Sequence, residues 1–251
     1  LAEGTLPEPD LEEGRDATVS ETLDVRRREL KYRISLAESL RAQQLFSQVL
    51  PGDANNGSDG YAVRSLYFDT LRNCDYEEKE DGLEHRKKVR LRVYSPTATV
   101  AKLELKEKDG VWQRKQSLML PREAAERLIR GDCSPLAALD QPLAQQLYRL
   151  MVEELYRPVC TVEYRRYAFV VPSNDIRITF DRYLMAGEGI PALFDEKDFL
   201  YPVGAPDDVT MEVKFNRFLF SYIRDLLESV GKLPVSYSKY VMSRQISHTA
   251  G

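Results

Sequence analysis

The sequence predicts an α+β fold: an eight-stranded antiparallel β-barrel with helices packed on its outside. Two observations carry this. Eight segments read as strands, and most of them, such as 28–34, 61–69 and 86–94, alternate between apolar and polar, the period of a strand with one buried face. Helix-length segments with capping and stop signals fall between them, suited to cover the apolar strand faces. The 251 residues, 43% of them hydrophobic, suffice for one large core.

The elements follow in order. Residues 1–24 are acidic, with Pro and Gly and few large apolar groups, the composition of a disordered tail or linker. The domain is expected over 25–246, with a short tail at 247–251. Arg28-Glu29-Leu30-Lys31-Tyr32-Arg33-Ile34 alternates and reads as the first strand. Ser35 and Glu38 have capping-box spacing, so a helix follows to about Leu50, where Pro51-Gly52 stops it. A loop rich in Asn, Gly and Asp reaches Gly60, and Tyr61 to Asp69 forms the second strand. Thr70 is placed to cap a short helix. Three strands come next, over about 85–95, 98–108 and 111–119. Asp109-Gly110 supplies a type I′ turn between the last two, because both central residues need positive φ. Pro121 starts a helix to Arg130, and another covers 140–155. Strands over 158–171, 175–184 and 208–215 complete the eight. Asn216 is positioned to cap a helix to about Val230, closed by Gly231 and Pro234; a segment from Ser236 to Gln245 ends the domain.

Bulk composition narrows the chemistry. Thirty-six Lys and Arg against forty Asp and Glu give a net charge of −4, so an anionic partner must be argued from where the charges sit. Cys74, Cys133 and Cys160 are odd in number and far apart, which disfavours a disulfide framework or zinc site and suits a reducing, cytoplasmic setting. With His85 and His248 the only histidines, a three-histidine zinc centre and a Ser-His-Asp triad are poor fits. No apolar run approaches the ~20 residues of a membrane helix, and no signal peptide is visible. No Walker A loop, GxGxxG or kinase signature occurs, so phosphate handling would rest on side chains, not on a glycine cradle.

The charges themselves recur at period two, and alternate strand residues share a face. The third strand sets Arg86, Lys88, Arg90, Arg92 and Tyr94 against Lys87, Val89, Leu91 and Val93. The fourth sets Lys102, Glu104, Lys106 and Lys108 against Ala101, Leu103 and Leu105. Glu29, Lys31 and Arg33 share a face of the first strand; Arg177, Thr179 and Asp181 one of the seventh; Glu212 and Lys214 one of the eighth. Any one such strand is ordinarily a solvated outer face. Five in one chain fit an inward-facing lining. Such a lining repels itself unless an anion neutralises it, and a chain of phosphates would, through Arg forks and Lys point charges. Glu29, Glu104, Asp181 and Glu212 among the bases carry the hard oxygens that Mg²⁺ or Mn²⁺ prefers. Nucleic acid is not expected, because the aromatics form no stacking platform in the basic strands. Trp112 is expected to pack on a helix, Cys160 to fill core and His85 to be solvated. Tyr67 and Asp69 admit two readings, ligand contact or structural strand end.

Eight motifs in order carry a resemblance: Glu29-Leu30-Lys31-Tyr32, Tyr67-Phe68-Asp69-Thr70, Lys88-Val89-Arg90-Leu91-Arg92, Leu103-Glu104-Leu105-Lys106, Arg166-Tyr167-Ala168-Phe169, Arg177-Ile178-Thr179-Phe180-Asp181, Glu212-Val213-Lys214-Phe215 and Ser238-Lys239-Tyr240. Together, from about Arg26 to Gln245, they resemble the VTC (vacuolar transporter chaperone) domain. That domain is the polyphosphate polymerase branch of the triphosphate tunnel metalloenzymes, in the CYTH-like superfamily. The chain looks like a bacterial-type, stand-alone member. The resemblance implies an eight-stranded tunnel that moves the γ-phosphate of ATP onto a growing polyphosphate, with pyrophosphate or phosphate as first acceptor and Mn²⁺ or Mg²⁺ assisting. By position it implies Lys31, Arg90, Arg92, Lys106, Lys115, Arg166, Arg177, Lys214 and Lys239 as phosphate ligands. Arg90, Arg92, Arg166, Arg177 and Lys214 would be nearest the chemistry, Glu212 the principal metal ligand and Glu29 its helper. A membrane-embedded partner that exports product is compatible with the family.

Two positions depart from the pattern. Triphosphatase relatives commonly show Glu-x-Glu-x-Lys in the first strand, where this chain has Arg27 in place of the first Glu; the loss of a carboxylate favours polymerase over hydrolase. Met242 stands where a second basic residue of the last segment is expected. In the sixth strand, Glu163 and Arg165 share one face and Tyr164 and Arg166 the other, and the motif selects Arg166. Two other functions stay open: a tunnel triphosphatase releasing free phosphate, and a non-catalytic module binding polyphosphate or inositol phosphates.

Overall fold

The computed structural model describes residues 28–110, 112–189, 191–196 and 200–245. The expected tails, 1–24 and 247–251, lie outside the described residues. β1 (Arg28–Ser35) turns at Ser35 into α1 (Leu36–Phe46). Ser35 Oγ accepts from the Glu38 N–H while the Glu38 carboxylate accepts from the Ser35 N–H, completing the capping box. Then come β2 (Tyr61–Asp69), α2 (Cys74–Glu80), β3 (His85–Val93), β4 (Val100–Asp109), β5 (Trp112–Pro121), α3 (Arg122–Ile129), α4 (Ser134–Ala137) and α5 (Pro142–Glu153). β6 (Arg157–Val171), β7 (Ile176–Glu188), β8 (Tyr201–Pro202), β9 (Asp208–Phe215), α6 (Ser221–Glu228) and α7 (Lys239–Arg244) complete the chain.

The strands form one antiparallel sheet in the order β1-β9-β7-β6-β2-β3-β4-β5, with the short β8 beside β7. The eight expected strands are present, and β8 is an addition. The expected closed barrel is not completed by backbone pairing: among the described residues no ladder joins β1 to β5. The sheet instead curls until β1 and β9 share an internal cavity with β3 and β4.

Two apolar cores lie on the outside of this curl. Phe46 of α1 and Ile223 and Leu227 of α6 pack on Ile34, Ile178, Phe180, Met211 and Val213 of β1, β7 and β9. Leu128, Leu136, Leu143, Leu147 and Met151 of α3 to α5 pack on Leu66, Val89, Leu91, Leu103, Leu105 and Leu118 of β2 to β5. Burying one face of each strand under helices, at about 25 cal/mol per Å² of apolar surface, leaves the alternate, charged face pointing inward.

Three local expectations are corrected. Asn216 caps nothing: its amide donates to Asp175 at 2.6 Å, and α6 starts five residues later behind Phe220. Asp109 belongs to β4, opposite Trp112, so the β4–β5 turn is displaced by one residue and opens on Gly110, whose φ of +57° suits glycine. Trp112 is not under a helix; it is 42% exposed at the sheet rim. Thr70 Oγ1 does accept from the Cys74 N–H, but Asp69 does most of the capping, accepting from the N–H groups of Thr70, Asp75 and Tyr76.

Candidate functional site

Register brings the charges together. On one wall, Lys31 lies opposite Glu212 and Glu29 opposite Lys214; Thr179 and Arg177 of β7 extend these two rungs. On the other wall, Lys88, Lys106 and Lys115 form one rung and Arg90, Glu104 and Ser117 another. Between them lies a cavity of about 150 Å³, room for roughly five waters at about 30 Å³ each. Glu29, Lys31, Arg90, Arg92, Lys106, Arg166, Glu212, Lys214 and Lys239 all line it.

The cavity holds three charge clusters. In the first, Arg90 Nε donates to Glu104 at 2.6 Å and its Nη1 to the Tyr67 hydroxyl at 3.0 Å. Lys115 donates to the other Glu104 oxygen at 3.0 Å, and Arg92 stands 3.8 Å away, donating to the hydroxyls of Ser65 and Tyr164. Burial disfavours the Glu104 carboxylate, but Arg90, Arg92 and Lys115 outweigh it and hold its pKa well below the usual range. In the second cluster, Arg166 forks onto Asp181 at 2.7 and 2.8 Å and Lys239 joins it at 2.8 Å. Burial again opposes the charge, yet Arg166 and Lys239 bring Asp181 down to about 2.

The third cluster pairs two carboxyl groups. Lys31 lies 2.7 Å from Glu29 and 3.9 Å from Glu212; Lys214 lies 3.3 Å from Glu212 and 3.9 Å from Glu29. Burial works against the Glu212 charge, but Lys214, a hydrogen bond with Glu29, and Lys31 hold its pKa well down. Lys106 faces this pair, and burial, with Arg90 and Lys214, drives its pKa far below normal. Glu29 and Glu212 therefore offer adjacent hard oxygen donors beside a cation-lined space. That set suits a divalent ion that keeps waters and takes further oxygens from phosphate, the ordinary habit of Mg²⁺. Among the described residues no group of three or more potential ligands gathers, so protein atoms alone would not complete the shell.

Two expected ligands sit differently. Lys115 is half-exposed and reaches the cavity through Glu104. Arg177 turns to Asp53 and the Tyr61 hydroxyl, because the Asn/Gly/Asp-rich loop folds back to supply a carboxylate. In the sixth strand, Arg166 and Tyr164 face inward, whereas Glu163 pairs with Arg64 and Arg165 with Asp59. The two readings of the second strand divide: Tyr67 lines the cavity and Asp69 is structural. Residues not named as expected ligands also line it. Lys88 donates to Ser238 Oγ at 3.0 Å and lies 5.0 Å from the Tyr240 ring, which stacks on Tyr67. Its alternation with Arg90 was the available signal. Lys79, on α2, carried none.

A profile of the family described as VTC domain matches residues 26–248. Among curated proteins, no significant match to the chain is found. Of solved structures, a candidate adenylate cyclase from Bacillus halodurans aligns at 13% identity and a TM-score of 0.53, over 86% of this chain and 94% of that one. The PH1819 protein of Pyrococcus horikoshii aligns at 9% identity and a TM-score of 0.44, over 88% of this chain and 99% of that one. Only the first is near enough to speak to the fold, and at 13% identity it speaks to nothing further.

Proposed function

The chain belongs to the VTC domain family, and from that premise we propose that it is a polyphosphate polymerase, transferring the γ-phosphate of ATP to a growing polyphosphate. The observation that carries this reading is the cavity that joins Arg90, Arg92, Lys106, Arg166, Lys214 and Lys239 to the adjacent Glu29 and Glu212. The cations would hold the nucleotide's triphosphate in line with the terminal phosphate of the acceptor. Phosphoryl transfer needs positioning and charge neutralisation more than covalent help from the protein. An acceptor phosphate oxygen is already anionic, so no general base is required. The carboxylates here suit that chemistry: Glu104, Asp181 and Glu212 are all held below the usual range and are weak bases near neutrality. A divalent ion, Mn²⁺ or Mg²⁺, would sit on Glu212 and Glu29 and would neutralise charge on the phosphate oxygens. Cys74, Cys133 and Cys160 are free thiols, in keeping with the cytoplasmic setting we assume. Among the described residues no helix is long and apolar enough to cross a membrane; a membrane partner that exports product is compatible with this reading.

The test is incubation of the purified protein with ATP and Mn²⁺, with pyrophosphate or phosphate as primer, followed by gel analysis for polyphosphate. Chains that lengthen with time are expected. Orthophosphate alone, at every acceptor concentration, would replace this reading with a tunnel triphosphatase. Tight metal-independent polyphosphate binding without turnover would replace it with a binding module.

A further inference from the structure

Thr179, in the middle of β7, is 1% exposed, and its Oγ1 is one of the few buried side-chain polar atoms among the described residues with no hydrogen-bond partner. Alternation puts its side chain on the face of Arg177 and Asp181. The ladders set it directly across from Glu212 of β9, with Lys31 of β1 beyond and Ala168 of β6 on the other side. Residues so opposed in an antiparallel pair have Cβ atoms about 4.5–5.5 Å apart, so the hydroxyl is within reach of the Glu212 carboxylate. That carboxylate now leans the other way. Lys214 lies 3.3 Å from it, and Lys31 and Arg166 each 3.9 Å. These charges come from β9, β1 and β6, and among the described residues none comes from β7. Of the other unpartnered atoms, only Arg177 Nε shares this face, and its guanidinium is already committed to Asp53 and the Tyr61 hydroxyl. A buried hydroxyl without a partner is costly, and valine would fill the same space without that cost.

We propose that Thr179 is a positioning residue for the metal: its hydroxyl donates to the Glu212 carboxylate once a divalent ion takes the place of the lysines as its counter-charge, and so fixes the rotation at which Glu212 meets the ion. This rests on the reading of Glu212 as the principal metal ligand. A divalent ion beside Glu212 repels the ammonium groups of Lys31 and Lys214, which lose their hold on the carboxylate. A ligating carboxylate is ordinarily held by a further hydrogen bond, and here the donor must be neutral if it is to stand close to the ion. Thr179 is such a donor. The neighbouring rung, Arg177–Lys214–Glu29, has only cations beside its carboxylate, so Glu29 has no matching hydroxyl. That difference sets Glu212 above Glu29 as a ligand.

The experiment measures Mn²⁺ affinity by the paramagnetic resonance signal of the free ion, with and without tripolyphosphate, beside thermal melts in metal-free buffer. The proteins are wild type, Thr179→Val, Thr179→Ser and Glu212→Gln. Thr179→Val keeps the shape and removes the hydroxyl, so Mn²⁺ should bind about tenfold more weakly. Thr179→Ser restores the hydroxyl and should stay within about twofold of wild type. The metal-free Tm of Thr179→Val should equal or exceed that of wild type, because a buried hydroxyl without a partner has been removed. Unchanged Mn²⁺ affinity in Thr179→Val overturns the proposal. So does a lower metal-free Tm with affinity lost equally in Thr179→Ser, which would make the side chain a packing element. If Glu212→Gln binds Mn²⁺ as wild type does, or wild type binds none in either condition, the metal reading of Glu212 falls and this inference with it. Loss of binding in Glu212→Gln with none in Thr179→Val brings down this inference alone.

Discussion

Replacing Glu104 with glutamine keeps its size and removes the carboxylate beneath Arg90, Arg92 and Lys115, at 2.6, 3.8 and 3.0 Å. Glu104 is 1% exposed, so the two guanidiniums would be left buried without their nearest counter-charge. Breaking a buried pair by removing one partner costs about 3–5 kcal/mol. The glutamine oxygen can still accept from Arg90 and Lys115 is half in solvent, so the low end, about 3 kcal/mol, is expected. In a domain of this size that is a fall in Tm of about 6–12 °C in anion-free buffer. Affinity should move the other way, because arginines relieved of a competing carboxylate bind tripolyphosphate more tightly. At a hundredfold excess over Kd the ligand contributes about 2.7 kcal/mol, enough to restore most of the loss. The pH sign is definite. A carboxylate with a depressed pKa stabilises the fold at neutral pH, and that contribution disappears only as pH falls through its folded pKa, so wild type and variant should converge in strong acid. Thermal melts with and without tripolyphosphate, beside a binding titration, check each part. An unchanged Tm together with weaker anion binding would refute the counter-ion role.

Glu212→Gln should abolish metal-dependent turnover while leaving the protein folded, since Glu29 stays to pair with Lys31 and Lys214; activity that persists at saturating Mn²⁺ would remove Glu212 as the main ligand. Arg90→Ala and Arg92→Ala should each lose most ATP turnover, forfeiting charge-assisted contacts worth about 1.5–3 kcal/mol. Lys239→Ala should change ATP affinity or product length more than the transfer rate, as read from turnover and gel length together. Lys88, its pKa lowered from 10.5 to about 7, binds fewer protons folded than unfolded in that window, so wild-type stability should rise with pH between them. Urea titrations from pH 6.5 upward should show a flatter pH dependence for Lys88→Met, and parallel curves would count against a depressed Lys88.

Much of this was legible in the sequence because period two is a strong signal. The alternation in 86–94 and 102–108 puts Arg90, Arg92 and Lys106 on the charged faces of their strands, and the helices supply the reason those faces turn inward. What escaped was set by contacts between segments far apart in the chain. Nothing near Arg177 announces that Asp53, 124 residues away, will claim it. Asn216 looks like a helix cap by type, but β7's start offers Asp175 as a partner first. Asp109-Gly110 was read as a turn pair because Asp tolerates positive φ, whereas the β3–β4–β5 register keeps Asp109 in its strand. Closure is not legible in the sequence: alternation marks strands but does not say whether the first and last pair, and here, among the described residues, β1 and β5 do not.

The unpaired seam between β1 and β5 leaves the tunnel wall without a ladder of backbone hydrogen bonds along that line. Its flanks are held by the helices behind them and meet across Lys106, Lys214, Glu29 and Glu212, groups whose net force depends on what lies between them. Across the seam Lys106 is repelled by Lys214 and attracted by Glu29 and Glu212; on the proposed function, an oligophosphate between them would attract the cations of both flanks. Amide exchange along β1 and β5 should then slow on loading more than in the doubly flanked β6 and β7, so the wall would act as a cuff tightened by its own cargo.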